Sequence, residues 1–191
     1  MVREHVDTRW LDPHKLMPPS VKTREETRSR VVMDIAQQRL VFPSREFPSL
    51  RTYVNVPEPT FVVRAADGAE LVPDIVVAES DSGRPRILAA VETMDTVTEE
   101  QATGRWRPFS RVRHTAFHLY VPSGFAAEAK RLLKKRRVKK AALRTWRYMT
   151  GQDALDITDI DYGGMLELLL PPFLLPRGRG CGQPGRRPGR G

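Results

Sequence analysis

Two carboxylates stand out by their setting: Asp74 in Leu71-Val72-Pro73-Asp74-Ile75-Val76-Val77, and Glu92 in Ile87-Leu88-Ala89-Ala90-Val91-Glu92-Thr93. Both stretches are rich in β-branched and aliphatic residues and are predicted strands. Between them, Ser80-Asp81-Ser82-Gly83-Arg84-Pro85 is a dense cluster of turn formers. A hairpin centred on Gly83 sets positions 74 and 92 directly opposite each other, roughly 4.5–5.5 Å apart on one face. Two like charges placed there repel unless a cation lies between them. A divalent ion is the expected cation, because Mg²⁺ and its relatives take carboxylate oxygens plus water.

A second cluster is basic. Lys130, Arg131, Lys134, Lys135, Arg136, Arg137, Lys139 and Lys140 place eight cations in eleven residues. Phe125, Ala129, Leu132 and Leu133 fall at helical spacing, which predicts a helix over about 125–140 with its cations outward. Like charges at i, i+4 cost helix stability, so this density points to an anionic partner, with phosphate backbones the natural one. Lys130, Arg131, Lys134, Lys135, Arg137 and Lys139 are the candidate nucleic-acid contacts. Arg144, Arg147 and Trp146 could extend that surface, with Trp146 as a stacking platform. A solvated face and an anionic membrane surface are the competing readings.

These residues need elements to hold them. Val31, Val32, Ile35, Ala36 and Leu40 predict a helix over about 21–40, ended by Pro43. Strands are expected near 51–56 and 60–64, with Ala66-Asp67-Gly68-Ala69 as the turn into the Asp74 strand. Thr98-Glu99-Glu100-Gln101 reads as a capping box for a short helix to about Trp106. Thr115–Val121 is an apolar interior strand, and Ala141–Tyr148 is a further strand. Asp153, Asp156, Asp159 and Asp161 fall in a stretch read as a loop with solvated turn residues. The expected organisation is an irregular segment over 1–20 and an α/β core over 21–150. A C-terminal extension over 151–175 and a disordered Arg/Gly/Pro-rich tail over 176–191 follow.

Composition narrows the setting. The formal net charge is +9 over 191 residues, and the tail holds five arginines and no acid, leaving +4 for the rest. One cysteine, Cys181, allows no internal disulfide and fits a reducing cytoplasm. No signal-peptide pattern opens the chain, and Met165–Leu175, broken by Glu167, Pro171 and Pro172, is too short to span a bilayer. That apolar stretch is expected to pack on the domain or on a second subunit, which makes a homodimer one expectation. Phosphate-loop, dinucleotide and Cys/His zinc patterns are absent from the sequence.

The predicted order of helix, three strands, helix, strand, helix, strand covers about Val21 to Tyr148. With Pro73-Asp74 opening the second core strand and Glu92 on the third, it resembles the PD-(D/E)XK nuclease superfamily. The resemblance implies a restriction-endonuclease-like α/β fold (αβββαβαβ) with a mixed β-sheet flanked by helices. It also implies that Asp74 and Glu92 bind Mg²⁺ or Mn²⁺ and serve phosphodiester hydrolysis of nucleic acid, expected to be DNA. The family's lysine, two residues after the acid, has no counterpart here. If Glu92 is the acid, Met94 stands at the lysine position; if Glu92 fills the lysine position, Ala90 stands at the acid position. Both alignments are open on the sequence, and a catalytically degenerate binding or protein-interaction subunit is the alternative function. Glu25, Glu26, Asp95 and Gln101 are further candidates for such a site, and His118 is expected to share a strand face with Ala116 and Tyr120.

Overall fold

The computed structural model describes residues 21–149 and 154–160. Helix α1 (Val21–Arg39) opens it, followed by β1 (Leu50–Val54), β2 (Val63–Arg64), β3 (Glu70–Leu71), β4 (Ile75–Glu79) and β5 (Pro85–Val91). A continuous helical segment follows: α2 (Glu99–Gln101), a π-helical turn (Ala102–Trp106) and α3 (Arg107–Phe109). Then come β6 (Ala116–Pro122), α4 (Ala126–Lys135), β7 (Ala141–Tyr148) and β8 (Leu155–Asp159). Six strands form one mixed sheet in the order β1-β4-β5-β6-β7-β8, while β2 and β3 make a small separate hairpin. The pairs β5–β6 and β6–β7 are parallel; β1–β4, β4–β5 and β7–β8 are antiparallel.

Both faces of the sheet are covered, which is why its central strands are apolar on alternate and intervening positions alike. One face carries Val76, Leu88, Ala90, Phe117 and Leu119 against Trp106, Phe109, Leu132 and Leu133. The other carries Ile75, Val77, Ala89, Val91 and Tyr120 against Val31, Val32 and Ile35 of α1 and Leu40 just after it. Ile35 and Leu132 are essentially excluded from water, each contributing about 1.5–3 kcal/mol of transfer free energy. Among the described residues, no helix is long and apolar enough to cross a membrane.

Four local expectations change. The β4–β5 hairpin is not centred on Gly83: Glu79 and Arg84 close the turn, with Glu79 N–H donating to the Arg84 carbonyl at 3.0 Å. A bulge between Val77 and Ala78 shifts the register again, so Ile75 pairs with Ala89. Continuing that register, Asp74 faces Ala90 and not Glu92. The shift from the expected pairing is two residues, so Asp74 and Glu92 keep the same face and become diagonal neighbours.

The basic helix ends at Lys135 rather than Lys140. Residues 136–140 form a turn in which Arg137 and Lys140 have φ of 53° and 58°. The segment after Thr98 runs past Pro108 to Phe109, because a π turn intervenes; there the Arg107 N–H bonds the Ala102 carbonyl, five residues back. Thr98 caps this segment by accepting from Gln101 N–H at 3.3 Å, but the Gln101 side-chain oxygen is buried without a partner.

The aspartate-rich stretch is not a loop. Leu155 and Ile157 are buried and alternate with Asp156 and Thr158, giving edge strand β8. Its acids are neutralised across the sheet: Asp159 accepts from Arg144 Nε at 2.5 Å and Asp156 from Arg147 Nε at 3.0 Å. Residues 1–20, Asp153, Asp161, Met165–Leu175 and the arginine-rich tail lie outside the described residues.

Candidate functional site

Asp74 sits just before β4, where Pro73 cannot donate and the chain leaves the sheet. Its own N–H reaches the Ala89 carbonyl at 2.9 Å, and its carbonyl accepts from Asn55 N–H at 2.9 Å. Asn55 is itself buried and bonds the Phe61 and Pro73 carbonyls at 2.8 Å each, which locks this strand entry. The carboxylate is buried and fully engaged. Oδ2 accepts from Val91 N–H at 2.7 Å, and Oδ1 accepts from Arg105 Nη2 at 3.0 Å and from Arg28 Nη2.

Glu92 follows β5 and has no exposed surface. Its N–H bonds the Tyr120 carbonyl at 2.8 Å, so β5 pairing carries through to this residue. Trp106 Nε1 donates to its Oε1 at 2.7 Å, and Trp146 Nε1 donates to its main-chain carbonyl at 3.1 Å. Among the described residues, Glu92 Oε2 has no hydrogen-bond partner. Burial pushes this carboxyl above the usual range, the neighbouring Asp74 charge adds to the rise, and Arg105 opposes it.

The cation between the two acids is a side chain. Arg105 Nη2 lies 3.0 Å from Asp74, and its Nη1 lies 3.6 Å from Glu92. The π turn delivers Arg105 and Trp106 together to the acid pair. A planar guanidinium with five donors suits two carboxylates at once. The sequence held a hint of this: a like-charge pair on a covered face demands a cation, and Arg105 stands on the next helical segment.

A divalent ion makes different demands. It would need open carboxylate oxygens, yet both Asp74 oxygens and one Glu92 oxygen are taken, and two guanidinium groups already stand over Asp74. Among the described residues, no group of three or more His, Cys, Asp or Glu side chains is placed to hold a metal ion. As it stands, this donor set suits a guanidinium and not Mg²⁺ or Mn²⁺. Glu25, Glu26 and Asp95 are exposed, and Met94 points outward at 70% exposure. His118 lies on the opposite sheet face with Tyr120, buried, with neither ring nitrogen hydrogen-bonded.

The basic candidates divide into paired and unpaired groups. Arg131 is held by Glu128 at 2.8 Å, and Lys135 by Glu99 at 2.8 Å, with Arg136 on the same Glu99. Lys130, half-buried, and the exposed Lys134, Arg137, Lys139 and Lys140 have no ion pair among the described residues. Cations in the last turn also complement the negative end of α4, which explains part of their density.

The structure does not bring the basic turn and the acid pair together. Val91, Tyr120 and Arg144 form one row across the parallel strands. Glu92 lies just beyond that row, whereas Lys140 precedes it by four residues, about 13 Å toward the opposite end of the strands. No family model, curated protein or solved structure matches the chain.

Proposed function

We propose that this protein is a nucleic-acid-binding module on a restriction-endonuclease-like core whose acid pair serves structure rather than cleavage. The fold part of this reading is supported by the order of elements. With the β2–β3 hairpin and the closing edge strand β8 set aside, the chain runs helix, three antiparallel strands, helix, parallel strand, helix, parallel strand. Pro73-Asp74 opens the second of those core strands and Glu92 ends the third, as the resemblance implies. Asp74 faces Ala90, which favours the alignment in which the family's second acid is missing and Glu92 takes the lysine position.

The binding part rests on one observation: Lys130, Lys134, Arg137, Lys139 and Lys140 project from α4 and its following turn with no carboxylate partner among the described residues. Unneutralised cations at this density attract phosphate, release its counterions, and bind in a salt-dependent way. Retention of a labelled duplex that falls steeply between low and physiological salt supports the reading. Retention of no nucleic acid at low salt overturns it.

Metal-dependent phosphodiester hydrolysis is the second reading, favoured by the meeting of Asp74 and Glu92 on one sheet face. It requires Arg105 to leave both acids.

A further inference from the structure

The three parallel strands begin at one end of the sheet: β6 and β7 are entered through basic loops, and β5 through a turn that carries Arg84 together with Asp81. Arg84 precedes β5, Arg111, Arg113 and His114 precede β6, and Arg137, Lys139 and Lys140 precede β7. The strand registers bring these entrances side by side. Ile87 pairs with Ala116, Phe117 pairs with Ala141, and Thr115 Oγ1 donates to the Pro85 carbonyl at 3.1 Å. Neighbouring strands lie about 4.8 Å apart, so the three entrances span roughly 10 Å. We propose that this edge is a composite cradle for the phosphate backbone of a nucleic acid, extending the α4 surface. The inference rests on the nucleic-acid-binding reading above and adds Arg84, Arg111 and Arg113 as contacts.

Three observations carry it. The first is unbalanced charge: Arg84, Arg111, Arg113, Arg137, Lys139 and Lys140 are exposed and have no ion pair among the described residues. The second is backbone strain. His114, Arg137 and Lys140, at φ of 58°, 53° and 58°, are the positive-φ non-glycine residues of the described chain, and all three lie in two of these loops. Arg137 takes it as the left-handed residue that closes α4, with Val138 N–H on the Leu133 carbonyl at 2.9 Å, whereas Lys140 stands directly before β7 and His114 two residues before β6. Such strain concentrates at ligand clamps, and here it fixes the directions of loops that carry unpaired cations. The third is the absence of an apolar wedge. The large exposed hydrophobics, Met33, Val41, Val62, Val72, Met94 and Met149, all lie off these loops. A surface that enters lipid pairs its cations with buried apolar side chains, so phosphate backbone is favoured over a membrane.

The test measures anisotropy of one labelled random-sequence oligonucleotide, as duplex and as single strand, over a salt series with the full chain. The loop variant Arg111→Ala/Arg113→Ala is compared with the helix variant Lys130→Ala/Lys134→Ala, and circular dichroism checks that each folds. The loop variant is expected to bind duplex about tenfold more weakly and to flatten the log–log salt slope by roughly 1.8, the release expected for two phosphate contacts. Arg111→Lys/Arg113→Lys is expected to keep most of that slope, since lysine preserves the charge. An unchanged loop variant beside a weakened helix variant overturns the cradle and leaves the binding module standing. Failure of the wild type to bind either oligonucleotide removes the underlying reading as well. Tighter binding to phosphatidylserine vesicles than to nucleic acid also overturns the cradle.

Discussion

Arg105 Nη2 lies 3.0 Å from Asp74 Oδ1, and this contact decides how the acid pair is read. With Nη1 also 3.6 Å from the buried Glu92, one guanidinium neutralises two carboxylates that would otherwise repel. The pair is stable because the cation is covalently part of the fold.

Removal of that cation should be costly. Arg105→Ala is expected to destabilise the protein by about 3 kcal/mol, the lower end for uncovering a buried charge, because Arg28 remains on Asp74. Arg105→Lys should recover only part of the loss, since an ammonium cannot span both acids as the fork does. Urea unfolding checks this, and a double-mutant cycle with Asp74→Asn should show strong coupling. Equal stability of Arg105→Ala and wild type contradicts the bridging role.

A second prediction concerns acid. His118 is buried, with neither ring nitrogen partnered among the described residues, and burial followed by the Arg144 charge holds its pKa well below 6.5. Below pH 6.5 the unfolded chain takes up a proton at this position that the folded chain refuses. Its stability contribution is therefore complete above pH 6.5 and falls as the pH drops from there toward the folded value. The facing groups are Tyr120, beside it on β6, and Arg144 on β7, whose cation disfavours a second positive charge. His118→Leu is expected to flatten the acid limb by up to ~1.4 kcal/mol per pH unit, read from denaturation midpoints between pH 7 and 5.

The β8 ion pairs should differ in weight. Arg144 is nine-tenths buried, whereas Arg147 is largely exposed. Asp159→Asn is expected to cost about 1–3 kcal/mol, because it leaves a buried guanidinium poorly paired. Asp156→Asn should cost less than about 1 kcal/mol, as for other exposed pairs. Thermal melts of the two variants check the order, and a reversed order contradicts the assignment of β8 burial.

Much of the framework is legible from local pattern. Helix α1 follows from Val31, Val32, Ile35, Ala36 and Leu40 at helical spacing, and β7 spans the Ala141–Tyr148 stretch expected as a strand. The hairpin register is not, because it depends on a bulge at Val77/Ala78 that no turn residue announces. Strand β8 hides behind its aspartates, which suit a turn until Arg144 and Arg147 are set across from them. At the candidate site, Asp74 and Glu92 are recognisable as a charge problem. Its solution is not, since Arg105 reaches them only through the path of a π turn and the packing of Trp106. Neither is the convergence of the three strand entrances, which requires knowing that β5, β6 and β7 are parallel neighbours.

In the proposed function, this chain holds nucleic acid without cutting it. The most direct measurement incubates the full chain with single-stranded, duplex and branched DNA in Mg²⁺ or Mn²⁺, beside Asp74→Ala, and follows retention and cleavage together. Salt-dependent retention with intact DNA for the wild type, and intact DNA for the variant as well, is the predicted result. Metal-dependent cutting by the wild type that is lost in Asp74→Ala would contradict the account.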